Sequence, residues 1–153
     1  MMLTKNYRHR RPAATLVETA FVLIPLMMLF LGIYQYGLLL MDWNLLINAA
    51  SEGARFAIAN PNDPTVSTDV QNIVTTAMAG RNTSYNNFTV TLSGTDQGIT
   101  YQGNAINNNL AAGDPITVTV TGNYRFLDLI PLVKTPSTLP ISTSATMICE
   151  GGP

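Results

Sequence analysis

The chain has 153 residues, of which 46% are hydrophobic and only 11% are charged, whereas soluble domains carry about 25% charged residues. The formal net charge is -1, but four of the eight bases lie in the first eleven residues, which contain no acid. From residue 12 onward four bases face nine acids. Because no basic surface remains after this tip, the composition argues against a nucleic-acid binder. The high apolar content excludes a chain that is disordered throughout.

Side chains that carry catalysis or bind metals are scarce in this sequence. It has one cysteine, Cys149, so it forms no intramolecular disulfide and no cysteine-based metal cluster. Its one histidine, His9, lies in the basic tip. The rest of the chain therefore lacks the histidine that Ser-His-Asp triads, Cys-His pairs and HExxH zinc sites require. We expect no enzyme activity, no cofactor and no small-molecule substrate.

The first predicted element is an apolar helix long enough to span a membrane. The 23 positions from Thr19 to Met41 carry no charge, and as a helix they would extend about 34 Å, enough for a bilayer core of about 30 Å. Asp42 follows the span, and Trp43 lies where an interfacial anchor would sit. The bases that precede the span are Lys5, Arg8, Arg10 and Arg11. The positive-inside rule then predicts a cytoplasmic N-terminus, with the chain after Trp43 outside the cytoplasmic membrane.

Two other interpretations of this apolar segment are open. A cleavable secretory signal has an apolar region of about 7–15 residues that ends at a small-residue cleavage site. The run here is longer, and no such site closes it near Met41. A buried core helix is the second alternative, although an uninterrupted apolar run of this length is rare in a small domain. The length and the flanking charges favour a single-pass membrane anchor.

Helical periodicity continues beyond the apolar segment. Small and apolar residues recur at steps of three and four until the NPNDP stretch at residues 60–64, whose prolines end the pattern. The sequence predicts one long helix from about Ala14 to Ala59, bent at Pro25. A second apolar stripe predicts a helix from Val66 to Met78, with Ser67 or Thr68 as its cap.

The rest of the chain is typical of an antiparallel sheet. Apolar residues alternate with threonine in three segments, as expected for strands with one buried and one wet face. These segments are residues 88–92, residues 116–120 with an extension towards Phe126, and a weaker strand at 142–149. Between them, residues 94–114 are rich in glycine and asparagine and predict a long exposed loop, with a short strand near Ile99.

Several short motifs near the N-terminus occur in the order and spacing of a known family. They are Arg10-Arg11, Val17-Glu18, Leu23-Ile24-Pro25, GIYQYG at residues 32–37, and Asn48, Ala49, Ala50, Ser51, Glu52, Gly53, Ala54 and Arg55. Together with the C-terminal strands they resemble the TadE-like family, which are pseudopilins or minor pilin-like proteins of the Flp/Tad tight-adherence pilus. In the GIYQYG stretch, Gln35 stands where the family has an acid.

This resemblance implies processing by a prepilin peptidase. In the family the cut places the glutamate fifth in the mature chain. The corresponding cut in this sequence lies between Ala13 and Ala14. The residue before the cut is Ala13, where the family usually has glycine. By analogy with pilins, Glu18 would pair with the new α-amino group of Ala14 in a neighbouring subunit. Such a pair neutralises a carboxylate that is otherwise costly beside an apolar span.

The resemblance and the residue pattern together predict an α+β, pilin-like fold with one helix packed on three or four antiparallel strands. We expect a basic leader at residues 1–13, a transmembrane and extended helix at 14–60, and an extracytoplasmic domain at 61–153. The predicted function is structural, as a pseudopilin or minor pilin in Flp/Tad pilus assembly. The expected partners are the lipid bilayer, the prepilin peptidase and other pilin or pseudopilin subunits. The alternative is an uncleaved, membrane-anchored surface domain that binds a ligand through the 94–114 loop.

Overall fold

A computed structural model of the chain describes residues 12–106, 109–126 and 138–149, with side chains described from residue 15 onward. Two α-helices and four strands make up this part of the chain, joined by two short 3-10 helices. In chain order they are α1 (Pro12–Ala59), α2 (Val66–Ala77), the 3-10 turn Arg81–Ser84, β1 (Tyr85–Asp96), β2 (Ile99–Gln102), the 3-10 turn Gly103–Ile106, β3 (Pro115–Arg125) and β4 (Thr138–Ile148). The predicted α+β class is confirmed.

The four strands form one antiparallel sheet in the order β2-β1-β3-β4. Along β3 the buried residues Ile116, Val118 and Val120 alternate with threonines on the opposite face. On that polar face the hydroxyls of Thr89 and Thr121 lie 2.6 Å apart across the β1–β3 pair. The predicted alternation of apolar and threonine positions therefore sets one core face and one wet face, as period-two strands require.

The apolar face of the sheet shares one hydrophobic core with α2 and with the residues of α1 after Gly37. Its fully buried members are mostly small or β-branched, which lets the helices approach the sheet closely. They are Leu46, Ala49, Ala50, Ala54, Ala57, Val66, Val70, Val74, Met78, Ile106, Ile116, Val118 and Val120. The two predicted helical stripes are thus the two helical surfaces of this core.

Helix α2 starts at Val66 as predicted, but its cap differs from the prediction. Its N-cap is Thr65, and neither Ser67 nor Thr68 caps the helix as predicted. Instead the backbone N–H of Ser67 donates to the side-chain oxygen of Asn104, at 3.0 Å, from the 3-10 turn after β2. A capping box depends on local residues, whereas this helix end is satisfied by a residue 37 positions later in the chain.

The short strand predicted near Ile99 is confirmed as β2, but the prediction that the rest of segment 94–114 is one long loop was wrong. Its first residues complete β1, a tight turn at Gly98 leads into β2, and Ile106 is fully buried. Leu110 packs directly on Gly94, where an added Cβ would collide with the leucine Cδ1. The glycines that suggested a loop lie in turns, and Ile106 and Leu110 pack the segment against the core.

The chain divides into two compact units, one ending at Gly37 and the other beginning at Leu38. The division falls inside α1. Residues up to Gly37 have no buried side chain in the described part of the first unit, whereas the stretch Leu38–Ala59 contributes to the core of the second. The predicted limits at residues 13 and 60 concern processing and membrane topology and stay predictions.

Candidate functional site: helix α1

The first part of α1, up to Gly37, is an apolar helix that exposes nearly all of its side chains. Phe21 is 81% exposed and Ile33 64%, in a stretch where hydrophobic residues would normally be buried. Helix α1 contains one candidate membrane span within Thr15–Ala59, with an 18-residue window of mean hydropathy 2.3 and none of it buried. This length and composition suit single-pass anchoring, because lipid covers apolar side chains that the protein leaves bare.

Glu18 lies in this exposed apolar stretch, six residues after Pro12, where α1 begins. Its side chain is exposed, and within the described residues no basic group forms an ion pair with it. Beside it, the Thr19 hydroxyl donates to the backbone oxygen of Thr15 at 2.7 Å, so this threonine is satisfied within the helix. Pro25 is accommodated inside α1 without ending it. Among the described residues, the Glu18 carboxylate is therefore exposed and not part of an ion pair.

The predicted processing residues Ala13 and Ala14 lie in the first turn of α1, which begins at Pro12. The four bases assigned to membrane orientation, Lys5, Arg8, Arg10 and Arg11, lie outside the described residues.

The small-residue motif at residues 48–55 lies where α1 meets the core of the second unit. Ala49, Ala50 and Ala54 are at most 1% exposed. A Cβ added to Gly53 would lie 2.8 Å from Cγ2 of Val74 in α2 and 3.6 Å from Cγ1 of Val118 in β3. Gly53 is therefore a point of close approach between α1 and its neighbours, and a larger residue would crowd them.

The polar members of the motif lie on the other side of the helix. Asn48, Glu52 and Arg55 are exposed and, with Ser51, line a shallow depression on the surface of α1. Glu52 and Arg55 are three residues apart, but no ion pair joins them. The motif thus has two functions by position, because its small residues pack the core while its charged residues face outward.

The model of the family described as "TadE-like protein" matches residues 13–55. Residues 13–55 are similar to this family and are called the TadE-like segment below. The match begins at the predicted processing site, contains Glu18 and the apolar helix, and ends with the last residue of the small-residue motif. It covers 43 of the 153 residues and stops before α2 and the sheet. No curated protein and no solved structure matches the chain.

Within the TadE-like segment, Asp42 has a buried environment that the sequence did not lead us to expect. We interpreted it as a charge flanking the membrane span, but its side chain is fully buried in the second unit and accepts a hydrogen bond from Nε of Arg81. The Arg81 side chain is 32% exposed. One signal could have revealed Asp42, because it precedes Leu46 and Ala49 by four and seven residues and so shares their helical face.

The surroundings of this ion pair are apolar and aromatic. Tyr85 and Tyr124 meet edge to face with ring centroids 5.8 Å apart. The hydrogen bond to Asp42 raises the pKa of Arg81, and burial, followed by the charge of Asp42, raises the pKa of Tyr85. Among the described side chains, Oδ2 of Asp42 and the Tyr85 hydroxyl have no hydrogen-bond partner. Because Asp42 is fully buried, loss of its partner Arg81, in the turn that leads into β1, would leave an uncompensated buried charge.

The remaining chemistry-bearing residues form no reactive centre in the described part of the chain. Cys149 is a free, buried thiol, and burial together with nearby Asp114 raises its pKa, which disfavours the reactive thiolate. No three His, Cys, Asp or Glu side chains among the described residues gather into a group that could hold a metal ion. The TadE-like family is generally structural rather than catalytic.

Proposed function

We propose that this protein is a pseudopilin or minor pilin that takes part in assembly of a Flp/Tad-type pilus. The observation that carries the proposal is the TadE-like match over residues 13–55. That match joins a membrane-length apolar helix, an exposed glutamate near its start and a motif that packs the same helix into a folded domain. A helix with these three parts can anchor a subunit, pair it with neighbours and carry an extracytoplasmic domain.

The proposed route begins with insertion, with the basic tip held in the cytoplasm. A prepilin peptidase then cuts between Ala13 and Ala14, which removes all four bases of the tip and leaves an apolar helical N-terminus. The new α-amino group of Ala14 pairs with Glu18 of a neighbouring subunit. Because both groups lie at the edge of apolar surroundings, each charge lowers the cost of burying the other in an assembly.

The continuity of α1 supports this route over a cleaved secretory signal. A signal peptidase would cut at the end of the apolar run, near Met41. That position lies inside α1, immediately before buried Asp42 and five and eight residues before the core residues Leu46 and Ala49. Cleavage there would detach one of the two helices of the core from its preceding turn, whereas cleavage after Ala13 leaves the folded domain untouched.

Mass spectrometry of the membrane-extracted protein tests the processing step directly. In cells with an active prepilin peptidase we expect a mature chain that begins at Ala14 and contains 140 residues. In cells that lack the peptidase the same protein should begin at Met1. An intact Met1 N-terminus in the presence of active peptidase would overturn the proposed processing.

Replacement of the glutamate tests the pairing step. We expect Glu18→Ala to insert in the membrane normally, because removing a charge eases insertion, but to fail in pilus assembly. Asp96→Ala, which removes an acidic residue from the end of β1, is the control and should change neither membrane insertion nor pilus assembly. Normal numbers of sheared pili from a Glu18→Ala strain would refute the pairing of Glu18 with Ala14.

A further inference from the structure

A cleft in the second unit brings together two of the four bases that follow residue 12. It has a volume of about 300 Å³ and is lined by Arg81 and Arg125, by hydroxyl side chains of the first 3-10 turn, and by apolar side chains that include Leu38 and Phe126. None of its described lining residues is acidic, although acids outnumber bases in this part of the chain. A concave surface with this local excess of positive charge favours an anionic ligand.

The guanidinium of Arg81 can bind an anion while it stays paired with Asp42. The carboxylate accepts a hydrogen bond from Nε alone, and the two terminal nitrogens of Arg81 form no hydrogen bond with another described residue. These two nitrogens form the end of a planar fork that matches two oxygens of a phosphate or carboxylate. The side chain lines the cleft and is partly exposed, so a ligand can reach it.

The net charge of the cleft and its surroundings matches that of a phosphodiester. Arg81 and Arg125 contribute two positive charges, and the buried carboxylate of Asp42 offsets one of them. Arg125 is exposed, and no described acid forms an ion pair with it. One net positive charge therefore remains, and a phosphodiester carries a single negative charge that would neutralise it.

The apolar wall of the cleft indicates that this phosphodiester belongs to a lipid. Leu38 is one of the last four residues of the uncharged run Thr19–Met41. Trp43, just after the run, is 41% exposed, and tryptophan is enriched where a membrane meets water. A bilayer that covers the uncharged run therefore ends close to the cleft, at the level of the lipid headgroups. Basic pockets beside membrane helices bind anionic headgroups.

We propose that Arg81 and Arg125 bind the phosphate of an anionic phospholipid and so hold the end of β3 and the turn before β1 at the membrane surface. Ser84 lines the same cleft and supplies a hydroxyl donor, whereas the Thr83 hydroxyl already donates to the backbone oxygen of Gly80 at 2.9 Å. The inference goes beyond the proposed function, because it requires only that α1 anchors the chain in a membrane.

Native mass spectrometry of the full chain in mild detergent tests this site. The protein is incubated with equal amounts of phosphatidylglycerol, which is anionic, and phosphatidylcholine, whose choline cation leaves the headgroup without net charge. We expect phosphatidylglycerol to be retained several-fold more often. Arg125→Gln should remove most of this preference, because one base at an anionic lipid surface contributes a factor of about five, and Arg125→Lys should keep most of it. Arg55→Gln removes an exposed arginine outside the cleft and is the matched control.

Arg125 is the residue to substitute, because loss of Arg81 would leave buried Asp42 without its cation. Equal retention of the two lipids, an unchanged preference in Arg125→Gln, or an equal loss in Arg55→Gln would overturn the inference. Addition of inorganic phosphate should leave the bound lipid in place, and replacement of the lipid by phosphate would show that the cleft takes a free anion instead. None of these results would alter the mature N-terminus or the pilus assembly by which the proposed function is tested.

Discussion

The two parts of α1 on either side of Gly37 use the same backbone for opposite purposes. Before this point no described side chain is buried, and large apolar residues such as Phe21 and Phe30 are more than 60% exposed. After it, Asp42, Leu46, Ala49 and Gly53 follow one another at helical spacing, and all are buried. The first part has large apolar side chains all round the helix, whereas the second has small side chains on one face and polar side chains on the other.

The glycines make the difference concrete. A Cβ added to Gly32 or Gly37 would meet nothing within 4 Å, whereas one added to Gly53 would lie 2.8 Å from a valine methyl. Apolar side chains in the first part suit lipid as their solvent, whereas small side chains in the second part fit against particular neighbouring residues. Substitutions that affect one part should therefore leave the other largely unchanged.

The largest effect is expected from a substitution that destabilises only the folded unit containing the second part of α1. Arg81→Met leaves the carboxylate of Asp42 buried without a cation, and loss of one partner of a buried pair typically costs about 3–5 kcal/mol. Asp42→Asn should cost less, because Arg81 is 32% exposed and water can solvate it. Urea unfolding of the full chain in detergent, followed by the fluorescence of the single tryptophan Trp43, measures both. Equal losses in the two variants would contradict this assignment, and membrane insertion should be unchanged in each.

The next largest effect is expected from a substitution that impairs only the membrane insertion of the first part of α1. Ile33→Arg places a charge near the middle of the apolar span, which costs about 2.5–3.5 kcal/mol on insertion scales. Ile47→Arg is the matched control, because Ile47 is also exposed on α1 but lies beyond the span. Membrane fractionation should show a loss of inserted protein for the first substitution and none for the second. Similar insertion of both variants would mean that residues 19–41 do not span the bilayer.

A smaller effect sharpens the contrast between the glycines. Gly53→Ala gains about 0.5–1 kcal/mol of helix preference, but crowding stiff valine side chains costs about 1–3 kcal/mol. We expect a net loss of about 1 kcal/mol in the same urea experiment, since the larger of these two terms opposes the substitution. Gly37→Ala, with nothing within 4 Å, should show no loss, and an unchanged or higher stability of Gly53→Ala would contradict the close approach.

The smallest effect lies in the turn between the two helices. The backbone N–H and hydroxyl of Thr65 both donate to Oδ1 of Asp63, at 2.8 Å, and lower the pKa of this carboxyl from its ordinary value of 3.8. A lowered pKa in the folded state contributes stability above the ordinary value, and this is lost as the pH falls through the folded-state pKa. Asp63→Asn should therefore lower the melting temperature slightly at pH 6, and the difference from the unsubstituted protein should shrink towards pH 3. A difference independent of pH would exclude the carboxylate as its source.

Much of the fold could be predicted because it depends on local periodicity. The limits of α1 and the start of α2 follow from apolar spacing and from the prolines between them, and the alternation of apolar residues with threonine predicts β1 and β3. Composition failed for residues 94–114, because glycine and asparagine are as suitable for tight turns between paired strands as for a loop. Whether Ile106 and Leu110 find the core depends on contacts distant in sequence.

The sequence by itself determined the membrane-length helix, the place of Glu18 near its start, and the TadE-like motif, since length, charge and residue order are properties of the chain alone. Only the tertiary structure decided which charges are buried and which are free. Asp42 is buried because α1 continues from the apolar span into the core and Arg81 meets it there. Asn104 closes the end of α2 and Gly53 accommodates Val74, in contacts that join residues far apart in the chain. Such pairings depend on how the elements pack, which no local pattern of residues specifies.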